Sequence, residues 1–217
     1  MFTHNLFPRT ELISFDDRNG RHYHLPDGTI VDSVTTRLSK TKELPQEWIA
    51  KWKKRVGEQK ANQIQTQALA RGNAIHNLAE KYLLNDPDYA KGVMPINLSD
   101  FIKIRDILDK NVTEVHGIEI PLYSYEYKTA GRADLYCLWD HKPTIVDFKT
   151  AKKPKEEKDI LGYFLQATVY ALMAGLIYIP TRQIVIIMVV SNEHPQVFVR
   201  NIDEFIPLVT KIFKDDQ

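Results

Sequence analysis

The chain has a single cysteine, Cys137, so no internal disulfide can form. That thiol lies inside an apolar run, where it reads as a small packed hydrophobe. Such usage suits a reducing, intracellular setting. An excess of one charge is also lacking. Twenty-nine Lys and Arg against 28 Asp and Glu leave a net charge of +1. A globally basic field is thereby excluded, and any contact with nucleic acid must come from local patches. No apolar run is long enough to span a membrane; the most apolar, Ile184 to Val190, has the length of a buried strand. The start, Met1-Phe2-Thr3-His4-Asn5, lacks a basic segment followed by an apolar run, so no targeting signal is read there. Internal repeats and low-complexity tracts are absent.

What is present suits one mixed domain over residues 1–217, with an ordinary 43% hydrophobic share. Its most informative stretch holds two short strands, Arg132 to Leu138 and Thr144 to Lys149, around the polar turn Trp139-Asp140-His141-Lys142-Pro143. Each strand carries one carboxylate, Asp134 or Asp147, amid apolar residues, an arrangement unfavourable for packing. Lys149 follows Asp147 by two, so both leave the same face of an extended strand. Two carboxylates beside a lysine suggest a site for a divalent cation and a phosphate. For Asp134 to lie across from Asp147 the turn must be even, either Asp140-His141 or the four residues Trp139 to Lys142; a slip by one sends a carboxylate to the far face.

Around this hairpin the pattern predicts further elements. Residues 12–31 read as a β-hairpin, with Asn19-Gly20 at its turn. His22 and His24 share a face there and read as exposed histidines rather than metal ligands. Ser33 and Thr35 read as helix-capping hydroxyls, with phosphate contact as the alternative. Pro45 opens a helical region in which Trp48 and Trp52 share a face, amid Lys51, Lys53 and Lys54. At least one tryptophan reads as core; the lysines are either a solvated face or a grip on single-stranded nucleic acid. A helix over Ala68 to Leu84 carries the stripe Ile75, Leu78, Ala79, Tyr82 and Leu83, with His76 at its edge and Gly72 one turn before. A helix over Phe101 to Asn111, capped by Ser99, leads to a strand over Val115 to Tyr123 with Ile118, Ile120 and Leu122 on one face and Glu119 on the other. The loop after Thr150 is basic at Lys152 and Lys153, and is either a contact to a nucleic-acid backbone or a solvated loop. A helix over Leu161 to Leu176 stacks Gln166 and Tyr170. A hairpin from Ile184 to Val199 and a closing helix over Asp203 to Phe213 complete the chain.

Five motifs then stand in order: Gly72-Asn73-Ala74-Ile75-His76, Glu119, Gly131-Arg132-Ala133-Asp134, Asp147-Phe148-Lys149-Thr150 and Gln166-Ala167-Thr168-Val169-Tyr170. Together they resemble the PD-(D/E)xK nuclease superfamily in its RecB-type exonuclease branch, within it the group of mitochondrial genome maintenance exonucleases and their phage-encoded relatives. No Pro precedes Asp134, a form common in that branch. The resemblance implies an α/β (mixed α+β), restriction-endonuclease-like central mixed sheet flanked by helices, with an N-terminal hairpin and a helical segment at about 45–111 over the active site. It implies an Mg²⁺- or Mn²⁺-dependent exonuclease acting on single-stranded DNA from free ends, in replication, repair or recombination. Asp134, Asp147, His76 and the carbonyl of Phe148 would bind the metal. Lys149 would orient or deprotonate the water, Glu119 would hold a second metal or bridging water, and Gln166 and Tyr170 would position the strand. Ser33, Thr35, Trp48, Lys51, Lys54, Arg71, Asn73, Arg132, Thr150, Lys152 and Lys153 would meet the nucleic acid. The implied protein is a monomer without membrane contact, with replication or recombination proteins as partners, located in the host cytoplasm if phage-encoded. A structure-specific endonuclease and a non-catalytic nucleic-acid-binding module are the alternatives. One cysteine cannot supply the four thiolates of the iron–sulfur cluster found in some relatives.

Overall fold

The computed structural model describes residues 1–44, 55 and 57–215. The expected helix after Pro45, with Trp48, Lys51, Trp52, Lys53 and Lys54, lies outside the described residues. Eight strands form one mixed sheet: β1 (Ile13–Asp17), β2 (Gly20–His24), β3 (Ile30–Ser33), β4 (Val112–Ser124), β5 (Thr129–Trp139), β6 (Lys142–Ala151), β7 (Gln183–Val190) and β8 (Gln196–Asn201). The path runs β1-β2-β3-β5-β6-β7-β8, and β4 pairs with β5. Five α-helices flank it among the described residues: α1 (Val34–Lys40), α2 (Glu58–Leu83), α3 (Pro95–Asn111), α4 (Leu161–Ile177) and α5 (Ile206–Thr210). None is long and apolar enough to cross a membrane.

The sheet is covered on both faces, which explains why β7 reads as a continuous β-branched run. Its Val185, Ile187 and Val189 pack with Ile75, Leu78 and Leu83 of α2 and with Phe101, Ile104 and Leu108 of α3. Its Ile184, Ile186 and Met188 pack with Phe164, Ala167 and Ala171 of α4. The result is three layers, helix on sheet on helix. Cys137 is buried in the α2–α3 layer, as its apolar context predicts.

The strands β4, β5 and β6 run a few residues longer than the sequence reading, and three helices depart from it. First, α2 begins at Glu58, not Ala68. Of its first ten residues only Ala61 is buried, so no apolar stripe marks them, although Glu, Gln and Lys favour helix. Second, α3 begins at Pro95, with Pro in its first turn, so Ser99 is internal and caps nothing. Third, the closing helix is broken into a 3₁₀ turn at Ile202–Glu204, the short α5, and a π turn at Lys211–Asp215.

Arg71 ties the layers together. Its guanidinium lies 2.8 Å from Asp100 of α3 and donates to the carbonyls of Ala151 (3.1 Å) and Val189 (3.5 Å) at the ends of β6 and β7. Asp100 is buried, and Lys103 adds a second contact at 3.2 Å. Removing the arginine leaves a buried carboxylate short of a partner. Arg71→Ala is expected to cost about 2–4 kcal/mol in urea unfolding, and Arg71→Ala/Asp100→Ala less than the sum of the single changes. A double-variant loss equal to the sum of the two single losses would contradict the tie.

Candidate active site

The site begins where two strands part. Asp140 and His141 form a two-residue turn, both at positive φ (48° and 63°), so the even register required of the hairpin is present. Pairing runs from Trp139↔Lys142 to Leu135↔Val146. The next step would set Asp134 against Asp147. Instead, Asp134 Oδ2 accepts the backbone N–H of Phe148 at 2.8 Å. Along the same edge of β5, strand β3 pairs only with Thr129 and Ala130. Residues 131–134 therefore face a notch between β3 and β6. A cleft of about 820 Å³ opens there.

Side-chain alternation also changes at this point. Glu119 of β4 has φ +47°. Ile118 packs with the α2–α3 layer, while Ile120 and Leu122 pack with the α4 layer. In β5, Leu135 and Ala133 divide in the same way. The expectation that Ile118, Ile120 and Leu122 share one face is thus corrected: the left-handed residue at Glu119 reverses the alternation and turns its carboxylate into the cleft. His76 of α2 completes the group. Its Nδ1 is 3.4 Å from Asp134 Oδ1, and its Nε2 is 2.9 Å from the carbonyl oxygen of Phe148.

One ligand atom from each of His76, Glu119 and Asp134 lies within 4.8 Å of the others, the spacing of a cation site. Asp147 lies outside that set. Its Oδ2 is 2.5 Å from Lys149 Nζ, and its Oδ1 accepts from Gln166 Nε2 at 3.2 Å. At that distance Oδ2 is ion-paired with the Lys149 ammonium, and both groups are shielded from solvent. Lys149 also sits over the ring of Tyr163, 5.1 Å from its centroid. Hard oxygen donors and an imidazole together suit Mg²⁺ or Mn²⁺.

The charges respond to this crowding. Burial pushes Glu119 up to about 7, helped by the charge of Asp134. Burial likewise pushes Asp147 up to about 6, against the pull of Lys149. Asp134 stays below the ordinary carboxylate range: burial raises it, but the hydrogen bond and charge of His76 and the charge of Lys149 outweigh that. Lys149 is raised, because Asp147 and Asp134 overcome the opposing effect of burial. Its ammonium form is thus favoured in the metal-free protein, which suits electrostatic stabilisation better than proton abstraction.

The expected site residues divide into groups. His76, Glu119, Asp134, Phe148, Lys149, Gln166 and Tyr170 line the cleft, as do Ser33, Thr35, Asn73, Arg132 and Thr150. Asp147 reaches the cleft through Lys149 and Gln166. The Ser33 hydroxyl caps α1, accepting the N–H of Thr36 at 3.0 Å. Arg71 does not line the cleft, because its guanidinium is committed to Asp100 and the strand ends. Lys152 and Lys153 lie on an exposed bend outside it. His22 bridges Asp17 and Asp32 at 2.9 Å each and joins no metal-spaced group among the described residues. Arg9, Arg21, Tyr23, Glu80 and Tyr163 line the cleft without having been singled out. Tyr163 was detectable, since it falls three residues before Gln166 on the same helical face. Glu80 likewise follows His76 by four. Arg9, Arg21 and Tyr23 carried no local signal.

No family model matches the chain. A stretch of 148 residues, 66% of this chain, is 27% identical to mitochondrial genome maintenance exonuclease 1 of Xenopus tropicalis. It covers 41% of that protein, so the chain spans less than half the length of this curated relative. A solved structure of a candidate exonuclease from Eubacterium rectale aligns over 68% of this chain and 69% of its own, at 12% identity and a TM-score of 0.41. That superposition is too loose to carry an argument.

Glu119 gives a pH-dependent prediction. Its folded-state pKa, about 7, lies above its ordinary value of 4.5, so ionisation destabilises the metal-free fold. The penalty is absent below pH 4.5, grows as pH rises toward 7, and is complete above it. Discounted for partial exposure, it amounts to roughly 2 kcal/mol, or roughly 5 °C in melting temperature. Glu119→Gln in EDTA is expected to melt that much higher at pH 8 and no higher at pH 4. A gain equal at both pH values would show that the carboxylate is not under charge stress.

Proposed function

We propose that the chain is a metal-dependent nuclease of the PD-(D/E)xK superfamily, RecB-type branch, hydrolysing phosphodiester bonds of single-stranded DNA from free ends. The observation that carries this reading is the gathering of His76, Glu119, Asp134 and Lys149 in one cleft at the notch, with Asp147 buried against Lys149. The partial sequence similarity to an exonuclease supports the reaction class.

His76, Glu119, Asp134 and Asp147 would hold the cation. The Phe148 carbonyl, 2.9 Å from His76 Nε2, would join them with that nitrogen deprotonated and the hydrogen bond given up. A bound divalent cation supplies Lewis acidity against the phosphate oxygens. The chain's own groups supply the rest. Hydrolysis forms a bond from water oxygen to phosphorus and breaks the bond to the leaving sugar oxygen. Lys149, protonated and held over Tyr163, donates to a phosphate oxygen as negative charge accumulates there. Gln166 fixes Asp147 through Oδ1, leaving Oδ2 against the Lys149 ammonium. Tyr170 packs against Gly131, where any Cβ would come within 2.7 Å of its ring and hydroxyl. That glycine lets the α4 helix stand close behind the notch.

Asp147→Ala and Lys149→Ala are each expected to lower degradation of end-labelled single-stranded DNA by at least ~10³-fold with melting retained. EDTA should abolish the activity, and Mg²⁺ or Mn²⁺ should restore it. Undiminished activity in Asp147→Ala would end the proposal. A covalently closed single-stranded circle should survive; its cleavage would replace the exonuclease by an endonuclease.

A further inference from the structure

The cleft has two unlike sides. The notch with His76, Asp134 and Lys149 is acidic and is the proposed reacting centre. The other side is formed by the N-terminal hairpin and by Arg132 of β5, and it is basic. Arg21, Tyr23 and Arg132 all line it. Arg21 stands across from Asp16, and Tyr23 across from Ser14, on paired strands β1 and β2. Alternation therefore puts Ser14, Arg21 and Tyr23 on one face of the hairpin, and all three line the cleft. The Tyr23 ring is buried against Leu12, Leu25, Val31 and Ala130, which fixes its hydroxyl end. The phenol lies within electrostatic reach of Arg21, Arg132 and Glu119, so the basic wall adjoins the carboxylates.

Both arginines are exposed. Arg21 holds Asp16, itself mostly exposed, through Nε at 3.1 Å and an Nη at 3.4 Å, and also meets the Tyr23 hydroxyl. With both partners exposed, that pair contributes about 0–1 kcal/mol, so a phosphate can compete for the guanidinium. Arg132 is exposed and makes no hydrogen bond or ion pair among the described residues. Guanidinium groups suit phosphate oxygens because their planar N–H fork can bind two at once. Arg71, by contrast, is wholly engaged inside the fold.

We propose that Arg21 and Arg132, with the hydroxyl of Tyr23, form a phosphate subsite beside the reacting centre, which holds a backbone or terminal phosphate of the nucleic-acid strand while its neighbour is cut. The subsite rests on the nuclease reading for its purpose, but not for its ligand chemistry. It makes the N-terminal hairpin part of the substrate-binding surface, and not merely an extension of the sheet.

The test is binding of fluorescent single-stranded oligonucleotides in EDTA, where no cutting occurs, by anisotropy across a range of salt. Arg21→Ala/Arg132→Ala is expected to weaken binding at least tenfold at moderate salt. It should also flatten the slope of log affinity against log salt by about 0.7, the value for one phosphate neutralised on a single strand. Arg21→Lys/Arg132→Lys should keep the slope. Oligonucleotides with 5′-phosphate, 3′-phosphate or hydroxyl ends identify the source. If the wild type prefers one phosphorylated end and the alanine variant loses that preference, the ligand is a terminal phosphate. If ends do not matter but the slope falls, it is a backbone phosphate. An unchanged slope and affinity in the alanine variant would overturn the subsite, whether or not the wild type cuts DNA. Absence of cutting with any metal would remove the nuclease reading alone and leave the slope measurement standing.

Discussion

The hydrogen bond from the Phe148 amide to Asp134 is small, but the site depends on it. An antiparallel ladder normally spends its amides on the neighbouring strand's carbonyls. At Phe148 the acceptor is a side-chain carboxylate, and β5 and β6 part from there onward. Their parting leaves four residues of β5 without a partner on that edge and opens the cleft. The two strands remain anchored elsewhere. β6 stays paired with β7 through Ala151, and β5 stays paired with β4 through Thr129. The opening is therefore a fixed feature of a rigid sheet, with Arg71 holding the far ends of β6 and β7 against α2 and α3.

At the notch the fold gathers three carboxylates, Glu119, Asp134 and Asp147, against the one ammonium of Lys149. Glu119 and Asp147 are both pushed up by burial, and Asp134 is held down by the hydrogen bond and charge of His76, the charge of Lys149 and the amide of Phe148. Stress of this kind is what a bound cation relieves, and it clusters at functional sites. The strained φ at Glu119 has the same sense, since it places a carboxylate where regular alternation would not.

Much of this was legible in the chain. The hairpin with Asp134 and Asp147 could be read because carboxylates interrupt apolar alternation, and its even turn followed from that pattern alone. The helix face with His76 and the stacked Gln166 and Tyr170 followed from 3.6-residue spacing. What the chain concealed has physical causes. The first ten residues of α2 bury almost nothing, so periodicity is silent there. The reversal at Glu119 depends on one backbone dihedral in a residue that is not glycine. Arg71 was placed at the nucleic acid by the family resemblance alone, and its packing partners, Asp100, Ala151 and Val189, are too distant in sequence to have shown otherwise. The placement of Arg21 and Tyr23 at the cleft depends on a parallel pairing of β3 with β5 that joins residues almost a hundred apart.

The account turns on whether the buried acidic group is a cation site. Titration of the metal-free protein with Mn²⁺, followed by electron paramagnetic resonance, addresses that without any nuclease assay. One ion is expected to bind the wild type, and Asp134→Asn, which keeps the side chain's shape and removes its charge, should weaken binding at least ~100-fold. Equal Mn²⁺ affinity in the two proteins would contradict the account.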